Sequence, residues 1–185
     1  MIMDFDNFTV QLFEESKALY EKAKATSDDF SKDTFLHSSL LLVMSSLEAC
    51  VNSISEELLI DPYKNDYSLL EQSLLLEKDI TYKNGCYQLG TSLKMSRLVD
   101  KIEFLMVKFL RDKWDSNVTW FVQLKQGIDY RNRLVHPKEH VKITEKQVEV
   151  TITSVLETMN ALFKAVYKKQ FPSYSYELTS RYDIT

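Results

Sequence analysis

Apolar residues recur along this chain in steps of three and four, the spacing that puts side chains on one face of an α-helix. Phe5, Phe8, Leu12, Leu19 and Ala23 predict a first helix over about 4–25, ended by the polar run Ser27-Asp28-Asp29. Leu36, Leu40, Val43, Leu47, Val51, Ile54 and Leu58 predict a second over about 32–60, with Leu41, Met44 and Leu59 on another apolar face. A helix apolar on most sides belongs at the centre of a bundle. Ser45, Ser46 and Ala49 are small enough to let a neighbouring helix come close, and Asp61-Pro62 stops the helix. A short helix over 68–76 precedes ITYKNGCYQLG, where Asn84-Gly85 between β-type residues signals a hairpin. Such a hairpin must lean on the bundle to persist.

Three more periodic segments follow. Met95, Leu98, Val99, Ile102, Leu105, Met106 and Phe109 predict a helix over about 92–110; Phe121, Leu124, Ile128 and Val135 predict one over about 116–135, stopped by Pro137. Val148, Ile152, Val155, Met159, Leu162 and Val166 predict the last, over about 144–170, opened by a Thr144–Gln147 capping box. The expected fold is all-α, a bundle of about five helices with a short hairpin-like insertion. One domain is expected over 1–170, with an aromatic but aperiodic tail over 171–185.

Composition narrows the classes. The 185 residues suit one domain with a real core, and only three Gly and three Pro argue for long helices joined by few turns. Net charge is −4, with the basic residues dispersed, which disfavours a broad surface for coating duplex nucleic acid. A small site that handles one phosphate is compatible with that charge. Cys50 lies in an apolar helical run and reads as core, and two cysteines give no disulfide framework. The start, MIMDFDNF, lacks the basic and apolar regions of a signal peptide, and the longest aliphatic run, Leu40 to Met44, is far below the ~18 residues of a membrane span. A cytoplasmic protein without membrane attachment is expected. There is no phosphate-binding glycine loop, and His37, His136 and His140 have no metal-ligand spacing, so neither cofactor nor metal is expected.

The most informative chemistry is IDYRNRLVHPKEH, at the end of the fourth long helix. At about 100° per residue, Asn132 and His136 share a face and Arg131 lies on the other flank of the apolar stripe. Both flanks would sit at the rim of a contact with another helix or subunit. Pro137 pushes His136 out of helical backbone, and a helix C-terminus favours positive charge there. A guanidinium can grip a phosphate with two hydrogen bonds, and an imidazole can take a proton from a 2′-hydroxyl or give one to a leaving oxygen. Asn132 can hold either. One Arg and one His per chain is a thin set for acid–base work, and a two-fold dimer would double it.

Arg131-Asn132-x3-His136 resembles the signature of the HEPN family: Arg, four to six residues, then His near the end of a long helix, often with a polar residue directly after the Arg. HSSLLLVMSSLEACVNSI likewise resembles the long second helix of such helical bundles. The likeness covers most of the chain as architecture and about six residues as motif. It implies a metal-independent endoribonuclease, often a toxin or antiviral effector, that works as a homodimer with its motif at the interface. On that basis Arg131 binds the scissile phosphate, His136 is the acid or base, Asn132 orients, and the product carries a 2′,3′-cyclic phosphate. RNA, a second copy of the chain, and an antitoxin or neighbouring defence protein are the implied partners. Some family toxins carry a modifiable Tyr two residues after the His; this chain has Lys138 there. Other members are non-catalytic, which keeps open a module that binds a nucleotide or a partner protein.

Several residues surround the motif. Glu48 needs a partner, and pairing with Arg131 or Arg133 would either position the site or only tie two helices together. Arg133, Lys138, His140 and Lys142 could draw in an RNA backbone or simply be solvated. His37 reads as structural. Trp114, Trp120 and Tyr130 could stack a base, with packing favoured for Trp120.

Overall fold

The computed structural model describes residues 2–60 and 66–182, with side chains from residue 7 onward. Among the described residues, the regular structure comprises six α-helices, short 3-10 turns at Arg111–Lys113 and Tyr174–Tyr176, and one two-stranded antiparallel sheet. α1 (Ile2–Ala25) pairs with α2 (Asp29–Leu58), which is opened by Asp28, whose carboxylate accepts the Ser31 N–H. α3 (Leu69–Leu76) leads into β1 (Lys78–Lys83) and β2 (Cys86–Leu93), then α4 (Leu98–Leu110), α5 (Thr119–Val135) and α6 (Glu145–Tyr167). The Thr144–Gln147 capping box opens α6 as the spacing predicts.

α2 is central. Leu40, Val43, Leu47 and Val51 are fully buried together with Ile102 and Leu105 of α4, Phe121 and Leu124 of α5, and Ile152, Val155 and Met159 of α6. Each such side chain contributes roughly 1.5–3 kcal/mol by leaving water. Against α1 the contact is made by serines. Ser16 Oγ donates to the Ser39 carbonyl (3.0 Å), Ser39 Oγ to the Ser16 carbonyl (2.8 Å), and Ser46 Oγ to the Thr9 carbonyl (2.9 Å). Small residues on α2 thus bring two backbones together; Ser45 instead bonds its own helix at the Leu41 carbonyl. α2 is also long and apolar enough to cross a membrane, with a mean hydropathy of 1.4 in its most apolar window, half of which is buried inside this fold.

Three expectations shift. α4 begins at Leu98 rather than near residue 92, because β2 continues to Leu93, paired with Lys78 across an irregularity in the ladder; Met95 is therefore outside the helix and exposed. Val135, the last residue of α5, is nearly half exposed rather than part of its core side. On α1 the buried face carries Thr9, Phe13, Ser16, Lys17 and Tyr20, while Phe8 is exposed; Phe5 lies outside the described side chains.

The unexpected polarity of α1 is explained by the chain's last segment, which docks on it. Phe171 is buried edge-on to Phe13 (5.8 Å between centroids) and Phe163 (5.2 Å). Glu14 and Lys17 form a fully buried ion pair of 3.0 Å. Lys17 Nζ donates to the Thr179 carbonyl (2.7 Å), the Arg181 N–H to Glu14 Oε2 (2.8 Å), and Ser180 Oγ to the Glu14 carbonyl (3.0 Å).

Gly127 sets the approach of α5 to α6. A Cβ there would meet Thr151 Cγ2 at 2.7 Å and Met44 Cε at 2.9 Å. Alanine normally gains helix propensity over glycine, but Thr151 is β-branched and stiff, so the clash decides the sign. Gly127→Ala is expected to cost roughly 1–3 kcal/mol, seen as a melting temperature several degrees lower by circular dichroism. An unchanged or higher value would show that Thr151 and Met44 yield.

Candidate functional site at the end of α5

α5 delivers Arg131 and Asn132 in its last turn and ends as soon as Pro137 is near. His136 has φ −124° and ψ 62°, outside helical backbone, while its N–H still donates to the Asn132 carbonyl at 2.9 Å. The imidazole is thus carried just past the helix, and the His136 and Asn132 side chains are exposed.

Arg131 is held from two sides. Its guanidinium is ion-paired with the Glu48 carboxylate of α2, and Nη1 donates to Asn132 Oδ1 at 3.1 Å. The Glu48 side chain is 40 % exposed, so the pair is worth little as stabilisation, and its main effect is to aim the guanidinium. Of the two arginines Glu48 was expected to meet, the structure selects Arg131.

Two cavities adjoin here. One, of about 590 Å³, lies between α2, α4 and α5; Glu48, Asn52, Lys101, Arg131 and Asn132 line it, and Met95 to Arg97 close one side. The other, about 520 Å³, is lined by Asn132, Arg133, His136, Lys138, Glu139 and Val141. Asn132 belongs to both. The motif is therefore spread along one open surface, with Arg131 on one side of Asn132 and His136 on the other. Arg133 and Lys138 join His136, whereas His140 is exposed on the following loop and lines neither cavity.

Lys101 is the residue that sequence reading missed. It is buried on α4, where Nζ donates to Asn52 Oδ1 (2.6 Å) and lies 3.7 Å from Glu77 Oε1. Burial pushes its ammonium below the ordinary lysine range, and Glu77 offsets only part of that. The available signal was a lysine set among Leu98, Val99, Ile102 and Leu105. Glu77 sits in left-handed backbone (φ 54°) at the end of α3, a conformation that turns the chain into β1.

Other candidates fall elsewhere. Trp114 and Trp120 pack on each other (5.8 Å) and on Phe121. His37 is half-buried, with Nε2 lacking a hydrogen-bond partner. Among the described residues, no group of three His, Cys, Asp or Glu side chains is placed to hold a metal ion. In comparisons with family models, curated proteins and solved structures, the chain matches none.

Proposed function

We propose that this protein is a HEPN-type endoribonuclease that cuts RNA without a metal, in the cytoplasm, as a homodimer. The observation that carries the reading is the sharing of Asn132 by two adjoining cavities, one holding Arg131 and the other His136. A phosphate at Asn132 would have a guanidinium on one flank and an imidazole on the other. In the reaction, the 2′-oxygen bonds to phosphorus as the bond to the 5′-oxygen breaks. His136 takes the hydroxyl proton or donates one to the leaving oxygen, and Arg131 offsets charge on the phosphoryl oxygens. A second copy would supply a second His136, so that acid and base act together. Glu48 is the positioning residue for Arg131. Arg133 and Lys138 would meet the RNA backbone beside His136. A toxin or defence role, restrained by an antitoxin or a neighbouring protein, fits such an activity.

One observation favours the runner-up, a non-catalytic module that binds a nucleotide or a partner protein. Arg131 is already neutralised by Glu48, so it must share or exchange that partner to take a phosphate.

Purified protein incubated with total RNA and excess chelator is expected to yield fragments with 2′,3′-cyclic phosphate and 5′-hydroxyl ends. Intact RNA, with tight binding of a nucleotide, would favour the runner-up. Cleavage that stops with chelator would overturn the metal-free mechanism.

A further inference from the structure

The β1–β2 hairpin carries an aromatic pair that the fold leaves uncovered. Tyr82 and Tyr87 are direct cross-strand partners, so their rings lie on one face, with centroids 5.1 Å apart. They are 65 % and 70 % exposed, although Ile80 and Leu89, next along the same face, are half-buried at the hairpin's base. The turn between them is stiff: Asn84 and Gly85 both have positive φ, 52° and 81°, the form that tight hairpins use.

The hairpin is continuous with the Arg131 cavity. Glu77, which precedes β1, and Met95 to Arg97, which follow β2, line that cavity. The arm itself carries a basic excess. Lys78, Lys83 and Lys94 are exposed on this arm. Its two carboxylates are occupied: Asp79 Oδ1 accepts the Ser92 N–H (3.0 Å), and Glu77 faces Lys101.

We propose that the hairpin is a stacking arm for single-stranded RNA, on which unpaired bases lie against Tyr82 and Tyr87 while the strand enters the Arg131 cavity. The proposal rests on the ribonuclease reading and names its substrate class. Stacking uses the faces of bases, which a duplex hides, so the arm selects unpaired segments with little dependence on sequence. It also reconciles RNA binding with a chain of net charge −4, because ring faces replace a broad basic surface. Five residues of strand span roughly 16 Å from Glu77 to Tyr82, so the stacked bases lie a few nucleotides from the phosphate at Arg131.

The test uses the full chain carrying His136→Ala, so that RNA stays intact, with fluorescein-labelled 12-nucleotide oligouridylate, oligoadenylate and a 12-base-pair RNA duplex. Adding Tyr82→Ser and Tyr87→Ser is expected to weaken both single strands about tenfold or more, while Tyr82→Phe with Tyr87→Phe holds within about twofold. The duplex is expected to bind weakly to all three proteins. Equal affinities for the serine and parent proteins would overturn the proposal. So would a changed oligomeric state in the serine protein by sedimentation, which would make this face a protein interface. The arm and the nuclease can fail separately. Cleavage by the otherwise wild-type chain that survives both serines at limiting RNA sinks the arm alone; tyrosine-dependent binding without any cleavage sinks the nuclease alone.

Discussion

His136→Ala is expected to lower RNA cleavage by about 10²- to 10⁴-fold, the usual contribution of a positioned acid or base, with no measurable loss of stability. The side chain is exposed, and the hydrogen bond from the His136 N–H to the Asn132 carbonyl uses backbone that alanine keeps. Pro137 still dictates the local chain path. Surface changes of this kind usually stay within about 0.5 kcal/mol. The two readouts are therefore separable: cleavage rate on RNA with chelator, and thermal unfolding of the same preparation. Undiminished cleavage would remove His136 from the mechanism. A large fall in melting temperature would show that the imidazole holds the loop after α5, and the lost activity would then have a structural cause.

Glu14→Ala is expected to destabilise the fold by about 3–5 kcal/mol, the cost of leaving a buried charge without its partner. At this chain length that is on the order of 10 °C in melting temperature. The variant strands the fully buried Lys17 ammonium and removes the acceptor of the Arg181 N–H. The wild type should show the same dependence on acidification. Burial alone pushes the Glu14 carboxyl up, but hydrogen bonds from Ser173, the Arg181 N–H and Lys17 outweigh it and hold the group below the ordinary glutamate value. A lowered folded value means that the stabilisation is complete above about pH 4.3, the unfolded value, and is lost as pH falls further. Lys17 is also lowered, because burial outweighs the attraction of Glu14, so its linkage has the same sign but begins below the ordinary lysine value of about 10.4 rather than in the carboxylate range. Hydrogen exchange over residues 171–182 should rise first on acidification. Uniform exchange across the bundle would show that the segment is not an independent clamp.

Much of this architecture can be read from local pattern. The Thr144–Gln147 box, the Asn84-Gly85 turn and the halt at Pro137 are short-range signals, and each marks an element that forms. The stripe on α2 places the central helix because its partners are apolar too. Long-range polar pairing leaves no such trace. Glu14 and Lys17 look like a surface pair in sequence, and only residues 173–181 make their burial tolerable. Lys101 is the same case, held by Asn52 and Glu77 from other elements. Gly127 resembles a weak point in a helix until Thr151 is set against it. At the site, the Arg131–Glu48 pair follows from a carboxylate on α2 that faces the end of α5, where two arginines are within reach in sequence. The division of the motif between two cavities depends on how α4 and the hairpin close around it, which no spacing on α5 reveals.

The docking of residues 171–182 on α1 has a consequence for synthesis. Glu14 emerges from a ribosome about 160 residues ahead of the segment that completes its surroundings. At roughly 5–20 residues per second, that is a wait of some 10–30 s. During that interval the α1–α2 hairpin can form on its local serine contacts, yet its Glu14–Lys17 face stays open to water. That face is sealed only once residues 171–182 have followed, and a ribosome stalled in α6 would leave it open.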